Sequence, residues 1–581
     1  MTIEDHVRAA WADTKGTGKI LLIIDALQFL LTMNEPIPLG RHLAVNSLRR
    51  VLGVFLQKGF FIEKQEFLLG GASETSAEPG EAGKITTVGF VTCDRVPNLI
   101  RAVSSYIENA KNHGRAVEFA IFDDSQNRQA LEALRGLKKK YDVPLLYAGK
   151  EEKEQFIHQV QAKGIPRDIL EFCLFGLEGA SPTMGANRNA FLLHTVGELT
   201  FSADDDTVCQ IFKSPSFRTG VRIGGDPGSI KDIWCFQTPE QALKAVLPEN
   251  VDFLALHEEA LAPSMRSFLK QLTSNKRDQK IETASMGAGF FESINSGKAK
   301  TIVSATGLIG DSGAADPTFL FYLSTESRNC MLKSEQIFSS AFESRQMIRV
   351  RDRLTFFQSQ VMVSMFFGLN HLDILPPFFP VFRSEDSLFG GLIDNCVPDA
   401  CFAHLPWVVL HLPEKRSGYF ELEGNQHEVK PSDLIIAAAD ELLLKETLIK
   451  TDARLRTLGA CLKNLGDFPE KEFLTYLKRV KIQRIAGSLA GMTSLLNKYP
   501  DSPVYWKKSV QHRLEKYRSL LENPDEGIPP MMLEKWGKEE SLKVSRRLVS
   551  LYGELLVWWP EIEKATRELK KKGIRVAQPV T

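Results

Sequence analysis

Three adjacent carboxylates, Asp204, Asp205 and Asp206, follow a short apolar step at Leu199 and Phe201. Like charges in contact repel, so such a cluster points to a hard cation, a basic partner or a solvated turn. Asp204 and Asp206 lie two positions apart. In an extended segment their side chains point the same way and can share one divalent ion, directly or through water. A second acidic pair, Glu385 and Asp386, stands before an apolar helical run. Alone, such a pair reads as negative charge at a helix N-terminus. His411 ends the apolar stretch 407–411, and His404 lies nearby. An imidazole close to carboxylates suits Mn2+ or Mg2+, although a lone histidine beside an apolar strand is more often structural.

The elements around these residues read as an α/β domain. Residues 85–93, 117–122 and 143–147 have the composition of buried strands, and the runs between them carry apolar residues at helical spacing. That alternation predicts parallel βαβ units, with helices on both faces of a mostly parallel sheet. Ligands of such sheets bind beyond the carboxyl ends of the strands. Two polar clusters, 92–95 (Thr-Cys-Asp-Arg) and 123–125 (Asp-Asp-Ser), fall at such ends. The segment 184–197 reads as a helix closed by Gly197 that leads into the acidic triplet.

Other segments carry weaker readings. Residues 150–180 read as a polar helical insertion, and 301–313, with glycines at 307, 310 and 313, as an ordinary loop rather than a dinucleotide site. Residues 345–367 read as helical, and the aromatic, proline-rich loop 375–380 as a wall of an acceptor pocket. Residues 1–69 read as a small helical, winged-helix-like unit, and 70–83 as a small, polar, acidic linker. A catalytic domain is expected over 84–428 and a helical bundle over 429–581, which braces the domain or makes a homo-oligomer. Trp558 and Trp559 read as buried packing, and Lys570–Lys572 as a solvated helix end.

The totals exclude several classes. With 72 basic and 72 acidic residues the chain has no net charge, which disfavours a general nucleic-acid binder. Its 8 cysteines are scattered, with no Cys-x-x-Cys and no zinc spacing, as expected in a reducing compartment. No signal sequence or transmembrane segment is evident, so a cytoplasmic location is expected.

The order of four motifs is informative: Thr92-Cys-Asp-Arg95, Asp123-Asp-Ser125, Gly185-Ala-Asn-Arg-Asn189 before the acidic triplet, and the segment 379–390 that contains Glu385-Asp386. Together they resemble the family 2 nucleotide-sugar glycosyltransferases, over roughly residues 85–425. The resemblance implies a glycosyltransferase A fold and an inverting, metal-dependent transfer from a nucleotide-sugar, a UDP-sugar first, to a glycan, lipid or protein hydroxyl. It implies metal ligation by Asp204, Asp206 and His411. Thr92, Asp94, Arg95, Asp124, Arg188, Asp204 and Asp205 would contact the nucleotide, Asp386 would be the general base, and Glu385 would orient it or bind acceptor. Taken by itself, Arg188 reads as a surface arginine at a helix start. The gap of about 180 residues between the two acidic segments exceeds the family's usual spacing. Two rival readings are a binding protein on a degenerate version of this fold and a sugar nucleotidyltransferase.

Overall fold

The computed structural model describes residues 83–225, 232–261, 264–274, 281–284, 286–314, 316–358, 365–414, 418–419, 429–442, 444, 450–522 and 527–581. The expected unit at 1–69 and the linker at 70–83 lie outside this set, apart from Gly83.

The fold is α/β around one mixed sheet. Its strands are β1 (Ile85–Thr92), β2 (Glu118–Asp123), β3 (Leu145–Ala148), β4 (Leu199–Asp204), β5 (Thr207–Lys213), β6 (Val221–Ile223), β7 (Asp232–Phe236), β8 (Ile281–Thr283), β9 (Lys300–Asp311), β10 (Gln346–Val350), β11 (Leu354–Phe357), β12 (Phe366–Asn370), β13 (Ala400–His411) and β14 (Gln578–Pro579). The order across the sheet is β14-β3-β2-β1-β4-β12-β9-β13-β11-β6-β8; off this path β10 pairs with β9 and β7, and β5 with β13. The block β3-β2-β1-β4 is parallel throughout, as the alternation of strand and helix requires. Beyond β4 the sheet becomes mixed, because β12 runs antiparallel to both β4 and β9. The parallel strands are apolar on both faces because helices cover both.

Helices α1 (Val96–Asn112), α2 (Gln129–Tyr141), α3 (Lys150–Gln161), α4 (Arg167–Phe175) and α5 (Met184–His194) connect the parallel block. The segment 150–180 is not a polar insertion. Phe156, Ile157, Val160, Ile169, Leu170, Phe172 and Leu174 are buried in the main core, and apart from the buried Lys153 its charged residues lie on the outer face. The reading of 345–367 as helical is also overturned, since β10, β11 and the start of β12 occupy it. Cross-strand pairing with β7, β9 and β13 outweighs its helix-compatible composition. Nor is 301–313 a loop, because β9 runs to Asp311. Its glycines mark close approach: a Cβ at Gly307 would stand 2.3 Å from the Arg349 carbonyl oxygen, and one at Gly310 2.2 Å from that of His411.

After α6 (Glu385–Cys396) and β13 the chain is helical. It forms α7 (Pro431–Glu441), α8 (Thr451–Asp467), α9 (Glu470–Lys498), α10 (Val504–Glu522) and α11 (Pro530–Lys570), and β14 then pairs with β3. The hydrophobic core runs without interruption from β2 and α5 into α8 and α11, so these helices brace the sheet. Trp559 is fully buried. Lys570 is not a solvated helix end: its ammonium donates to the Val196 carbonyl and pairs with Glu198, while Lys571 and Lys572 are exposed. Among the described residues no helix is long and apolar enough to cross a membrane.

Candidate functional site

The site lies at the carboxyl ends of β1, β2 and β4. Asp204 is the last residue of β4, and Asp205 and Asp206 form the turn into β5. The triplet is therefore not extended: Asp205 and Asp206 converge on Arg95, while Asp204 turns to Arg188. Asp205 is fully buried, where it accepts from the Thr92 hydroxyl at 2.7 Å and pairs with Arg95 at 3.3 Å. It ties the turn to the end of β1 rather than facing a ligand. Asp206 pairs with Arg95 at 3.2 Å and lies 3.4 Å from Nε2 of His411. Asp204, with about a fifth of its side chain exposed, pairs with Arg188 at 2.7 Å.

Arg188 departs most from its reading as a surface residue. It sits in α5, where the helix crosses the sheet, and its side chain is 1% exposed. The guanidinium lies between the rings of Phe367 and Phe378 and pairs with Asp204 on one side and, at 3.6 Å, with Glu385 on the other. It therefore joins the two acidic segments that 180 residues of sequence separate. Glu385 and Asp386 begin α6; Glu385 is buried, whereas Asp386 is half-buried and accepts from the Ser387 amide at 2.7 Å. The backbone entering α6 is strained, with Phe382 at φ 65° and Ser384 at φ 79°. Non-glycine residues in this region cost free energy and gather where geometry is functionally constrained.

The local charge is unbalanced. Burial raises the pKa values of Asp204 and Glu385 above the ordinary carboxylate range, against the attraction of Arg188. Burial also lifts Asp205, to about 7, against the pull of Arg95. Burial lowers the pKa of His411, but the hydrogen bond and charge of Asp206 outweigh it, so the net shift is upward. Its Nδ1 lies 2.7 Å from the Asp311 carbonyl oxygen, an acceptor, and therefore carries hydrogen. Nε2 then faces a carboxylate and needs either a second proton or a cation there. This backbone-oriented imidazole beside a carboxylate is a metal-ligand geometry.

The donor set fits a hard cation held by Asp206 and His411. Asp204 is instead committed to Arg188. Among the described residues no cluster of three or more His, Cys, Asp or Glu side chains could hold a metal. A cation here would fill its remaining positions from phosphate oxygens and water, as Mg2+ commonly does. His404 is buried elsewhere on β13, with Nδ1 3.1 Å from its neighbour's carbonyl oxygen.

The remaining expected contacts divide. Arg95 and Thr92 reach the acidic turn, whereas Asp94 is exposed at φ 55°, and its amide donates to Ser125. Asp124 forms an ion pair with Lys153, which also donates to Asn187. Lys153 was not foreseen, because it falls in the segment 150–180 read as a polar insertion, yet its side chain is fully buried. The Asp311–Arg345 pair behind His411, at 2.7 Å, was missed as well, and only the strand over 300–311 could have exposed it. Phe378 and Phe379 are fully buried, so the loop 375–380 does not present them to an acceptor.

No protein-family model matches this chain, and no curated protein is significantly similar to it.

Proposed function

We propose that this chain is an inverting glycosyltransferase of the glycosyltransferase A type, transferring a sugar from a nucleotide-diphosphate sugar, UDP-sugar first, to an acceptor hydroxyl. One observation carries the reading: Arg188 brings the acidic turn and the Glu385–Asp386 pair to one place, beyond the carboxyl ends of parallel strands. A Mn2+ or Mg2+ ion held by Asp206 and His411 would offset the charge of the leaving diphosphate. Arg95, a third exposed beside Asp206, can turn to the same phosphates. Asp386, half-open at the start of α6, accepts the proton of the attacking hydroxyl, while Glu385 holds its place against Arg188. Asp124 and Lys153 close the nucleoside side.

A second reading, a binding protein on the same frame, draws on Arg95 lying against Asp205 and Asp206 in the place of a cation. Incubation with labelled nucleotide-sugars and Mn2+ separates the readings. The transferase releases nucleoside diphosphate and inverts the anomeric centre, and Asp206→Asn slows the transfer sharply. Pyrophosphate release would show a nucleotidyltransferase, and ligand retention without turnover a binding protein.

A further inference from the structure

The loop 371–382 delivers the Glu385–Asp386 pair, and its backbone is held from two sides. On one side, Asn189 of α5 accepts from the Phe378 amide at 2.7 Å and donates to the Phe378 carbonyl at 3.0 Å. A Cβ at Gly185 would stand 1.8 Å from the Phe379 carbonyl oxygen, so α5 and the loop are in backbone contact. On the other side stands α11, whose contacting residues follow their loop partners by 175 to 192 positions. Tyr552 donates to the Pro377 carbonyl at 2.7 Å, and the Trp559 indole N–H donates to the Leu375 carbonyl. Glu563 accepts from the Leu375 amide at 3.3 Å and from Nε2 of His371 at 2.9 Å. Tyr552, Trp559 and Glu563 are seven and four residues apart, which places them on one face of the helix. All three are buried.

Apolar packing needs no such arrangement. Three polar side chains of one helix are spent on the backbone groups of a single buried loop, whose polar atoms would otherwise be unsatisfied. Beyond the clamp the loop has little freedom before its strained residues, Phe382 and Ser384, and the start of α6.

We infer that Tyr552, Trp559 and Glu563 are positioning residues, through which the C-terminal helix fixes where the Glu385–Asp386 carboxylates stand relative to the acidic turn. The catalytic consequence rests on the transferase reading, but the mechanical coupling does not.

The test uses the full chain with Tyr552→Phe and Glu563→Gln, and Leu548→Ala as a control on the same helix that makes no polar contact with the loop. Hydrogen exchange is followed at 375–390, and transfer kinetics in parallel. Loss of one buried hydrogen bond should speed exchange at 375–388 by about tenfold over the rest of the fold. The control should speed exchange evenly, in proportion to its lost stability. Transfer by Tyr552→Phe should show a lower kcat with an unchanged KM for the nucleotide-sugar. Exchange that stays unchanged at the loop, or rises no more there than in the control, would overturn the inference. If the native chain shows no transfer, the function reading fails while exchange still decides the coupling.

Discussion

Two charge clusters sit at opposite ends of the same parallel strands, and they are built in opposite ways. At the amino ends, Glu118 and Glu198 meet Arg575, Lys570 and His194. Burial works against the charge on Glu118, but hydrogen bonds from His194 and Arg575 outweigh it and hold its pKa down to about 2. Charge is matched there, and the cluster fastens the C-terminal tail to the sheet. At the carboxyl ends, Asp204, Asp205, Asp206, Glu385 and Asp386 have Arg95, Arg188 and His411 as their described cationic partners. Burial there pushes the pKa values of Asp204 and Glu385 up. The first cluster pairs its charges internally, whereas burial disfavours ionisation in the second, which on the proposed reading a cation or substrate completes. Buried carboxyls held above the ordinary range beside charged partners mark a candidate functional site.

The sharpest break in this contrast is Arg188→Ala. It leaves Asp204 and Glu385 facing each other without their shared partner, and should cost about 3–5 kcal/mol in chemical denaturation. Arg575→Ala, at a partly exposed pair, should cost about 1 kcal/mol. Equal losses would erase the distinction between the clusters.

Next in size is Asp206→Asn, expected to lower transfer by about 100- to 1000-fold while leaving stability unchanged or slightly raised. Glu118→Gln should do the reverse, with about 1 kcal/mol lost and activity intact. A stability loss in Asp206→Asn matching that of Glu118→Gln would assign both clusters a structural role.

The pH dependence should differ in sign. The folded pKa of Glu118 is depressed, so its contribution is complete above the ordinary glutamate value of about 4.3 and is lost as pH falls toward about 2. The folded pKa of Glu385 is raised, so the folded state holds more protons, and stability declines as pH climbs from the ordinary carboxylate range toward neutrality. Denaturation midpoints against pH check this: Glu118→Gln should flatten the acidic limb and Glu385→Gln the neutral one. An effect no larger than that of Glu118→Gln is expected of Thr92→Val, which removes the hydroxyl on Asp205 and should cost about 1 kcal/mol.

These contrasts also explain what the sequence disclosed. The parallel block was legible because β1 to β4 alternate with helices of regular apolar spacing, and the ends of those strands carry the polar residues that become Thr92, Arg95 and the acidic turn. That Asp204 pairs with Arg188 and Asp206 with Arg95 was not legible, because local spacing does not reveal that the chain turns at Asp205. Arg188 and Lys153 look like ordinary surface cations along the chain, and their burial follows only from how α3 and α5 dock on the sheet. The strands at 346–357 and the glycines of β9 escaped because pairing with distant β7 and β13 decides them. Nothing local announces that Tyr552, Trp559 and Glu563 serve the loop before α6 rather than the core of a bundle.

The most direct measurement is calorimetric titration of a nucleoside diphosphate, UDP first, into the native chain and Asp206→Asn, with and without Mn2+. The account predicts binding that requires the cation in the native chain and disappears in the variant. Binding of equal strength without Mn2+ and in Asp206→Asn, or none in any condition, would contradict it.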